Sequence, residues 1–228
     1  MLMIKEQITE TAKSSKFRKR EDGQKMTNKT KMRTKEITFI GLMGALSAVL
    51  MLFRFPIPFM PPFMDFDFAG AVEMIGGFMF GPVAAVFIAI VKILLKMVMM
   101  GSSSIGTGEV QNIMLSCAYV VPAAIIYTRK KTKKNAVIGM VVGTLAAVVT
   151  AVLTNIYLII PFYAKLANMT VDDIVAMCTA VNPAMKNVVT MVVFGIIPFN
   201  LIKYGVSSAV ALVLYKHLSR PIKAIINK

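Results

Sequence analysis

The fold is decided by residues 129–162, which read RKKTKKNAVIGMVVGTLAAVVTAVLTNIYLIIPF. A short basic run is followed by an apolar stretch, residues 136–162, that contains no charged side chain. About 20 consecutive apolar residues are enough for a helix to cross the hydrocarbon core of a bilayer. The stretch therefore predicts a transmembrane helix, and the basic run before it predicts that this end faces the cytoplasm.

The whole chain has the same character. Hydrophobic residues make up 57% of its 228 residues, against about 45–50% in a typical soluble domain. One soluble core cannot hide that excess, so the sequence predicts an all-α, polytopic membrane protein whose solvent is the lipid bilayer. Six spans are predicted, at about residues 37–53, 67–80, 83–100, 109–128, 136–162 and 185–215.

The positive charges lie at the ends of the apolar segments. The net charge is +15, and the lysines and arginines concentrate in residues 1–36, in residues 129–134 and after Tyr215. The positive-inside rule places all three regions in the cytoplasm, which requires an even number of spans. We therefore expect a multi-pass protein of the cell membrane with no nucleic-acid partner. Residues 1–36 are predicted to form a flexible cytoplasmic extension, and residues 37–228 the membrane domain.

Two segments depart from a simple span-and-loop pattern. The second apolar run, residues 67–80, is short and contains Asp67 and Glu73, so a re-entrant segment is an alternative to a span. Residues 55–63, FPIPFMPPF, hold four prolines and cannot form a helix. With six spans this apolar, aromatic loop lies outside the cell, where we expect it to cover a binding site.

Several polar residues fall inside predicted spans, where they are costly and usually functional. Counting about 1.5 Å per residue from the basic ends places five of them in the outer half of the bilayer. These are Glu109, Asn112, Asn155, Asn200 and Lys203. With aromatic walls that include Phe66 and Tyr157, such a pocket suits a flat, mostly uncharged heterocycle with carbonyl oxygens.

Structural roles for the same residues remain open. Lys203 could pair with a buried carboxylate such as Glu109 instead of binding a ligand, and Asn155 could join two helices. Lys92 and Lys96, one helical turn apart, could be structural. Catalytic residues and a metal site are not expected, because the chain lacks a phosphate loop, metal-ligand spacing and an acid–base cluster. An intramembrane enzyme is therefore a remote alternative.

The first span carries a stripe of small residues at Gly41, Gly44, Ala45 and Ala48. Small residues four apart allow another helix to approach closely. The stripe could contact another helix of this protein, or it could be a docking surface for a second membrane subunit.

Four short segments resemble a known family. Residues 55–59 (FPIPF) with 67–68 (DF), 77–82 (GFMFGP) and 198–203 (PFNLIK) resemble the riboflavin-specific S components of energy-coupling factor (ECF) transporters. The resemblance covers about residues 37–216. It implies a six-helix, non-enzymatic subunit that binds riboflavin as a transported ligand, not as a cofactor. It also implies partners, namely a transmembrane coupling protein and two cytoplasmic ATPase subunits.

The resemblance also assigns residues. Asn155, Asn200, Lys203 and approximately Asp65 match the positions that contact the flavin in this family, and the small-residue stripe matches its docking surface. The acidic Asp65 could accept hydrogen bonds from the ribityl hydroxyls but would disfavour a phosphorylated flavin. The same fold with another vitamin as ligand, such as thiamine, pantothenate or a pyridoxine-like amine, is the alternative.

Overall fold

The computed structural model describes residues 34–61, 63–102 and 106–226, and the predicted extension 1–36 lies almost wholly outside them. The chain divides into two units, Met1–Ile37 and Thr38–Lys228. The described part is mainly helical, as predicted. The helices are α1 Thr34–Leu52, α2 Ala69–Phe80, α3 Pro82–Met100, α4 Thr107–Arg129, α5 Lys133–Thr154, α6 Ile160–Leu166, α7 Val171–Val181, α8 Val188–Met191 and α9 Ile197–Ile226.

Four continuous helical segments of the described chain are long and apolar enough to cross a membrane. They are Pro82–Met100, Thr107–Arg129, Lys133–Leu166 and Val188–Tyr215. Two apolar helices are shorter, Glu36–Leu52 and Ala69–Phe80. The chain is thus a helical membrane protein. Whether all six predicted segments are spans depends on whether these two short helices also cross the membrane.

The two longest segments each contain one π-helical turn. Asn155–Ile159 joins α5 to α6, and Val192–Ile196 joins α8 to α9. Each π turn ends two residues before a proline, Pro161 or Pro198, which lacks a backbone N–H group. The helices therefore continue past both prolines through a locally widened turn, a feature that is frequent at functional sites.

The proline-rich segment forms a small antiparallel ladder and no helix among its described residues, as predicted. Strand β1, Phe55–Pro56, pairs with β2, Asp65–Phe66. Phe55, Phe66 and Phe68 pack together, with ring centroids 5.1 Å apart for Phe55–Phe66 and for Phe66–Phe68. This aromatic cluster stabilises the loop against the membrane domain.

Helix α2 is the most enclosed element. Its residues 69–78 are all buried, and it packs against α3, α4 and α9. A Cβ atom at Gly77 would lie 2.6 Å from Val120 Cγ1, so the glycine permits the close approach of α2 and α4. Because α2 is surrounded by protein, the buried Glu73 faces other helices and not lipid.

Helix α1 divides the predicted small-residue stripe between interior and surface. Gly44 and Ala48 are buried, and a Cβ atom at Gly44 would lie 2.5 Å from Val91 Cγ1 on α3. This observation corrects the docking prediction for these two residues, because their small size serves helix packing inside the protein. Gly41 and Ala45 are only half-buried, and docking remains a prediction for them.

A candidate substrate-binding cavity beneath the first loop

A cavity of about 390 Å³ lies between the helical bundle and the first loop, which joins α1 to α2 and whose described residues are 53–61 and 63–68. Loop residues such as Arg54 and Met64 line one side, and residues of α1, α3, α4, the π turn after α5, α6, α7 and α9 line the rest. Small-molecule sites usually have volumes of about 300–1,000 Å³. The cavity is therefore large enough for a drug-sized ligand and lies where the sequence predicted a covered pocket.

Six of the eight predicted ligand-binding residues line this cavity. They are Asp65, Glu109, Asn112, Asn155, Asn200 and Lys203. They come from the loop, from α4, from the π turn after α5 and from α9. Their similar depth along neighbouring helices brings together side chains that are far apart in sequence.

The two remaining predicted residues, Phe66 and Tyr157, are not among the cavity-lining residues. Tyr157 is 77% exposed on the outer surface of the bundle. It lies two positions after Asn155, which is about half a helical turn, so the two side chains point in opposite directions. Phe66 is buried in the aromatic cluster of the loop. The aromatic wall is instead supplied by Phe63, Tyr163, Phe199 and Tyr204.

The amides of Asn155 and Asn200 are oriented by their own helices. Asn155 Nδ2 donates to the Ala151 carbonyl oxygen at 2.7 Å, and Asn200 Nδ2 donates to the Ile196 carbonyl oxygen at 2.8 Å. A carbonyl can only accept, so the amide nitrogen must face it. Each amide then has one oxygen and one N–H left for another partner, such as a ligand edge that both donates and accepts.

Lys203 lies on the side of the cavity that contacts the first loop. Its Nζ donates to Asp67 Oδ2 at 2.7 Å and to the Asp65 backbone carbonyl oxygen at 3.4 Å, and it lies 5.9 Å from the centroid of the Phe199 ring. The carboxylate partner of Lys203 is therefore Asp67 and not Glu109. Asp67 was not predicted to line the cavity, although it lies two residues before the start of α2, where a carboxylate can accept a free backbone N–H group of the first turn. Asp67 Oδ1 accepts from the Ala69 backbone N–H at 2.9 Å.

The two lysines of α3 have structural partners. Lys92 Nζ lies 2.6 Å from both Glu73 Oε1 and Asn112 Oδ1, and 2.9 Å from Ser116 Oγ. Three acceptors satisfy the three protons of the ammonium group. Because the Asn112 oxygen binds Lys92, the amide N–H groups of this cavity residue are directed elsewhere.

Lys96, one turn further along α3, pairs with Glu109. The Lys96 Nζ lies 2.5 Å from Glu109 Oε1, and Ser102 Oγ donates to Glu109 Oε2 at 2.9 Å. Glu109 therefore enters the cavity as a carboxylate that is already neutralised. The structural roles weighed for Lys92 and Lys96 are thus observed as ion pairs.

A fourth ion pair occupies the loop side of the cavity, between Arg54 Nη1 and Asp65 Oδ2 at 3.1 Å. About one-third of each side chain is exposed, 33% for Arg54 and 34% for Asp65. Arg54 was not among the residues predicted to bind a ligand. Within the described residues no cluster of three potential metal ligands occurs.

An apolar helical bundle with a partly open cavity, lined by both polar and apolar side chains beneath its first loop, defines a membrane protein that binds a small solute. The sequence profile of the ECF transporter substrate-specific components matches residues 35–215. The chain belongs to this family. The family consists of transporter components and not of enzymes, so both the recognised resemblance and the prediction of a non-enzymatic protein are confirmed.

Individual relatives agree with this placement. The chain is 31% identical over 191 residues to the riboflavin transporter RibU of Staphylococcus aureus (strain TCH60), covering 84% of this chain and 94% of the relative. It is 26% identical to the riboflavin transporter FmnP of Bacillus subtilis (strain 168), covering 75% and 85%. A solved S component of a bacterial ECF transporter superposes with a TM-score of 0.67 at 29% identity, covering 84% of this chain and 99% of that one.

Proposed function

We propose that this chain captures riboflavin at the outer face of the cell membrane and is the substrate-binding subunit of an ATP-driven vitamin importer. The observation that carries the proposal is the gathering of Asn155, Asn200 and Lys203 in one cavity beneath the first loop. The relatives from Staphylococcus aureus and Bacillus subtilis are both named riboflavin transporters, and this supports the choice of riboflavin.

The chemistry of the cavity suits the flavin ring. The pyrimidine edge of the isoalloxazine alternates carbonyl oxygens with an N–H group, and the amides of Asn155 and Asn200 can both accept and donate. Lys203 retains a proton beyond the two that its observed partners use, and this proton is available to a flavin carbonyl. Asp65, Glu109 and Asn112 offer partners for the hydroxyl groups of a ribityl chain.

The proposed topology has six spans and two cytoplasmic termini. Helix α2 is only 12 residues long, or about 18 Å, against a hydrocarbon core of about 30 Å. A helix this short is tolerated in the bilayer when neighbouring helices surround it, as they surround α2. The cytoplasmic side then carries residues 129–134, and the loop with β1 and β2 faces outside.

The proposed partners follow from the family. No phosphate-binding loop motif occurs in the sequence, so another chain must hydrolyse ATP. We assign that role to two cytoplasmic ATPase subunits, joined to this chain by a transmembrane coupling protein. The half-buried Gly41 and Ala45 of α1 are the proposed part of the small-residue stripe that contacts it.

Binding of riboflavin is tested on the purified full-length protein in detergent. We expect mass spectrometry to find riboflavin in the preparation, and we expect the protein to quench the fluorescence of added riboflavin. A competition panel of riboflavin, thiamine, pantothenate and pyridoxine separates the alternatives. Displacement of bound flavin by none of the other three supports the proposal, whereas a protein without flavin and without quenching contradicts it.

A further inference from the structure

The charges of the cavity cancel in pairs. Among the described residues that line it, three cations each lie against one carboxylate. The pairs are Arg54 with Asp65 at 3.1 Å, Lys96 with Glu109 at 2.5 Å and Lys203 with Asp67 at 2.7 Å. A cavity with this arrangement is formally neutral and favours a neutral ligand, because a charged ligand must compete with an existing partner.

The three pairs differ in their access to water. Lys96 with Glu109, and Lys203 with Asp67, are almost completely buried, so separating either would leave an unpaired charge in the protein interior. The side chains of Arg54 and Asp65 are about one-third exposed, at 33% and 34%. An exposed pair contributes little and can exchange its partner in solvent. The Arg54–Asp65 pair is therefore the place in the cavity where a charged group on a ligand would be bound or repelled.

We propose that Asp65, by holding Arg54, makes this site discriminate between riboflavin and its phosphate ester, flavin mononucleotide. The inference rests on the proposed function. The ring is bound by the buried amides of Asn155 and Asn200, and the ribityl chain extends toward the Arg54–Asp65 pair. A terminal phosphate there carries a charge of about −1.5 to −2 at neutral pH. Asp65 repels that charge and also occupies the guanidinium that would bind the phosphate through two hydrogen bonds.

The proposal concerns the side chain of Asp65 and not its backbone. The Asp65 carbonyl oxygen accepts from Lys203, and Asp65 pairs with Pro56 in the loop ladder. A change of the carboxylate to an amide preserves the size of the side chain and both backbone contacts. Asp65→Asn therefore releases Arg54 without removing a structural contact of the loop.

The test compares two ligands on the wild-type protein and two variants. Purified wild-type protein, Asp65→Asn and the double variant Asp65→Asn with Arg54→Gln are titrated with riboflavin and with flavin mononucleotide, following the quenching of flavin fluorescence. The measured quantity is the ratio of the two dissociation constants. We expect Asp65→Asn to shift the ratio toward the phosphate ester by about tenfold, since it removes a like charge next to the phosphate. The double variant should lose this gain, and high salt should reduce it.

Asp172→Asn is the matched control. Asp172 is an exposed carboxylate of α7 that does not line the cavity, so its removal changes the net charge equally and leaves Arg54 paired. An unchanged ratio in Asp65→Asn would overturn the inference, as would an equal gain in Asp172→Asn. Wild-type protein that binds no riboflavin would overturn the proposed function, and the inference with it. Riboflavin binding with an unchanged ratio would overturn the inference alone.

Discussion

At the residue scale, Lys203 pairs with a buried carboxylate and also lines the cavity. Its ammonium neutralises the buried Asp67, whose other oxygen accepts the N–H of Ala69 at the start of α2. The same ammonium lines the cavity beside Asn200, three residues earlier on the same helix face. One side chain thus connects the first loop to α9, and in the proposed function it also presents a donor to the flavin.

Lys203→Ala is expected to weaken flavin binding by roughly 10- to 100-fold, because a hydrogen bond from a charged group contributes about 1.5–3 kcal/mol. It should also lower the thermal stability, since Asp67 would remain as a buried carboxylate without its cation. Fluorescence titration and thermal unfolding in detergent measure the two effects.

A paired variant separates the two roles. Lys203→Ala combined with Asp67→Asn should regain most of the stability, because no buried charge remains and the amide oxygen can still accept from Ala69. It should not regain the affinity. Recovery of full affinity in the paired variant would show that Lys203 acts only through the fold.

At the element scale, the cavity depends on close contact between α4 and α5. A Cβ atom at Gly139 of α5 would lie 2.8 Å from the Ala123 carbonyl oxygen and 3.1 Å from Ala123 Cα, both atoms of the α4 backbone. Backbone atoms cannot move aside as a flexible side chain can. The spacing of the two helices, one carrying Asn112 and the other leading to Asn155, is therefore set by glycine.

Gly139→Ala is expected to destabilise the protein by about 1–3 kcal/mol, the usual cost of overpacking a close contact. Gly205→Ala is the matched control, because a Cβ atom there meets nothing within 4 Å. The control should be neutral or stabilising, by up to about 1 kcal/mol, since alanine favours a helix over glycine. Thermal unfolding compares the two variants. Equal effects would show that helix propensity, and not the α4–α5 contact, decides the outcome.

At the scale of the whole molecule, the position of the cavity relative to the membrane determines the direction of capture. The tip of the first loop and the basic run before α5 are both exposed, for example at Phe59 and Lys131. The positive-inside rule puts the basic run in the cytoplasm. An odd number of spans would place the two termini on opposite sides of the membrane.

Labelling of single cysteines tests this topology in intact cells. With Cys117 and Cys178 replaced by alanine, Phe59→Cys should react with a membrane-impermeant maleimide from outside. Lys131→Cys should react only after the cells are permeabilised. Labelling of Phe59→Cys only after permeabilisation would place the cavity on the cytoplasmic side and contradict capture from outside.

The sequence by itself determined the class of protein and the depth of the candidate site along the helices. Long apolar runs require a bilayer, basic runs mark the ends of helices, and a fixed rise per residue gives the depth of a polar side chain. For that reason Asn155, Asn200 and Lys203 could be predicted to lie at one level, and the structure brings them to one cavity.

Only the tertiary structure decided which way side chains face and which charges meet. Rotation about a helix axis placed Tyr157 outside while Asn155 points inward, and it buried Gly44 against α3. Lys203 is paired with Asp67 and Lys96 with Glu109, although many other pairings satisfy the same sequence. These choices depend on packing between segments that are distant along the chain, and no local pattern of residues carries that information.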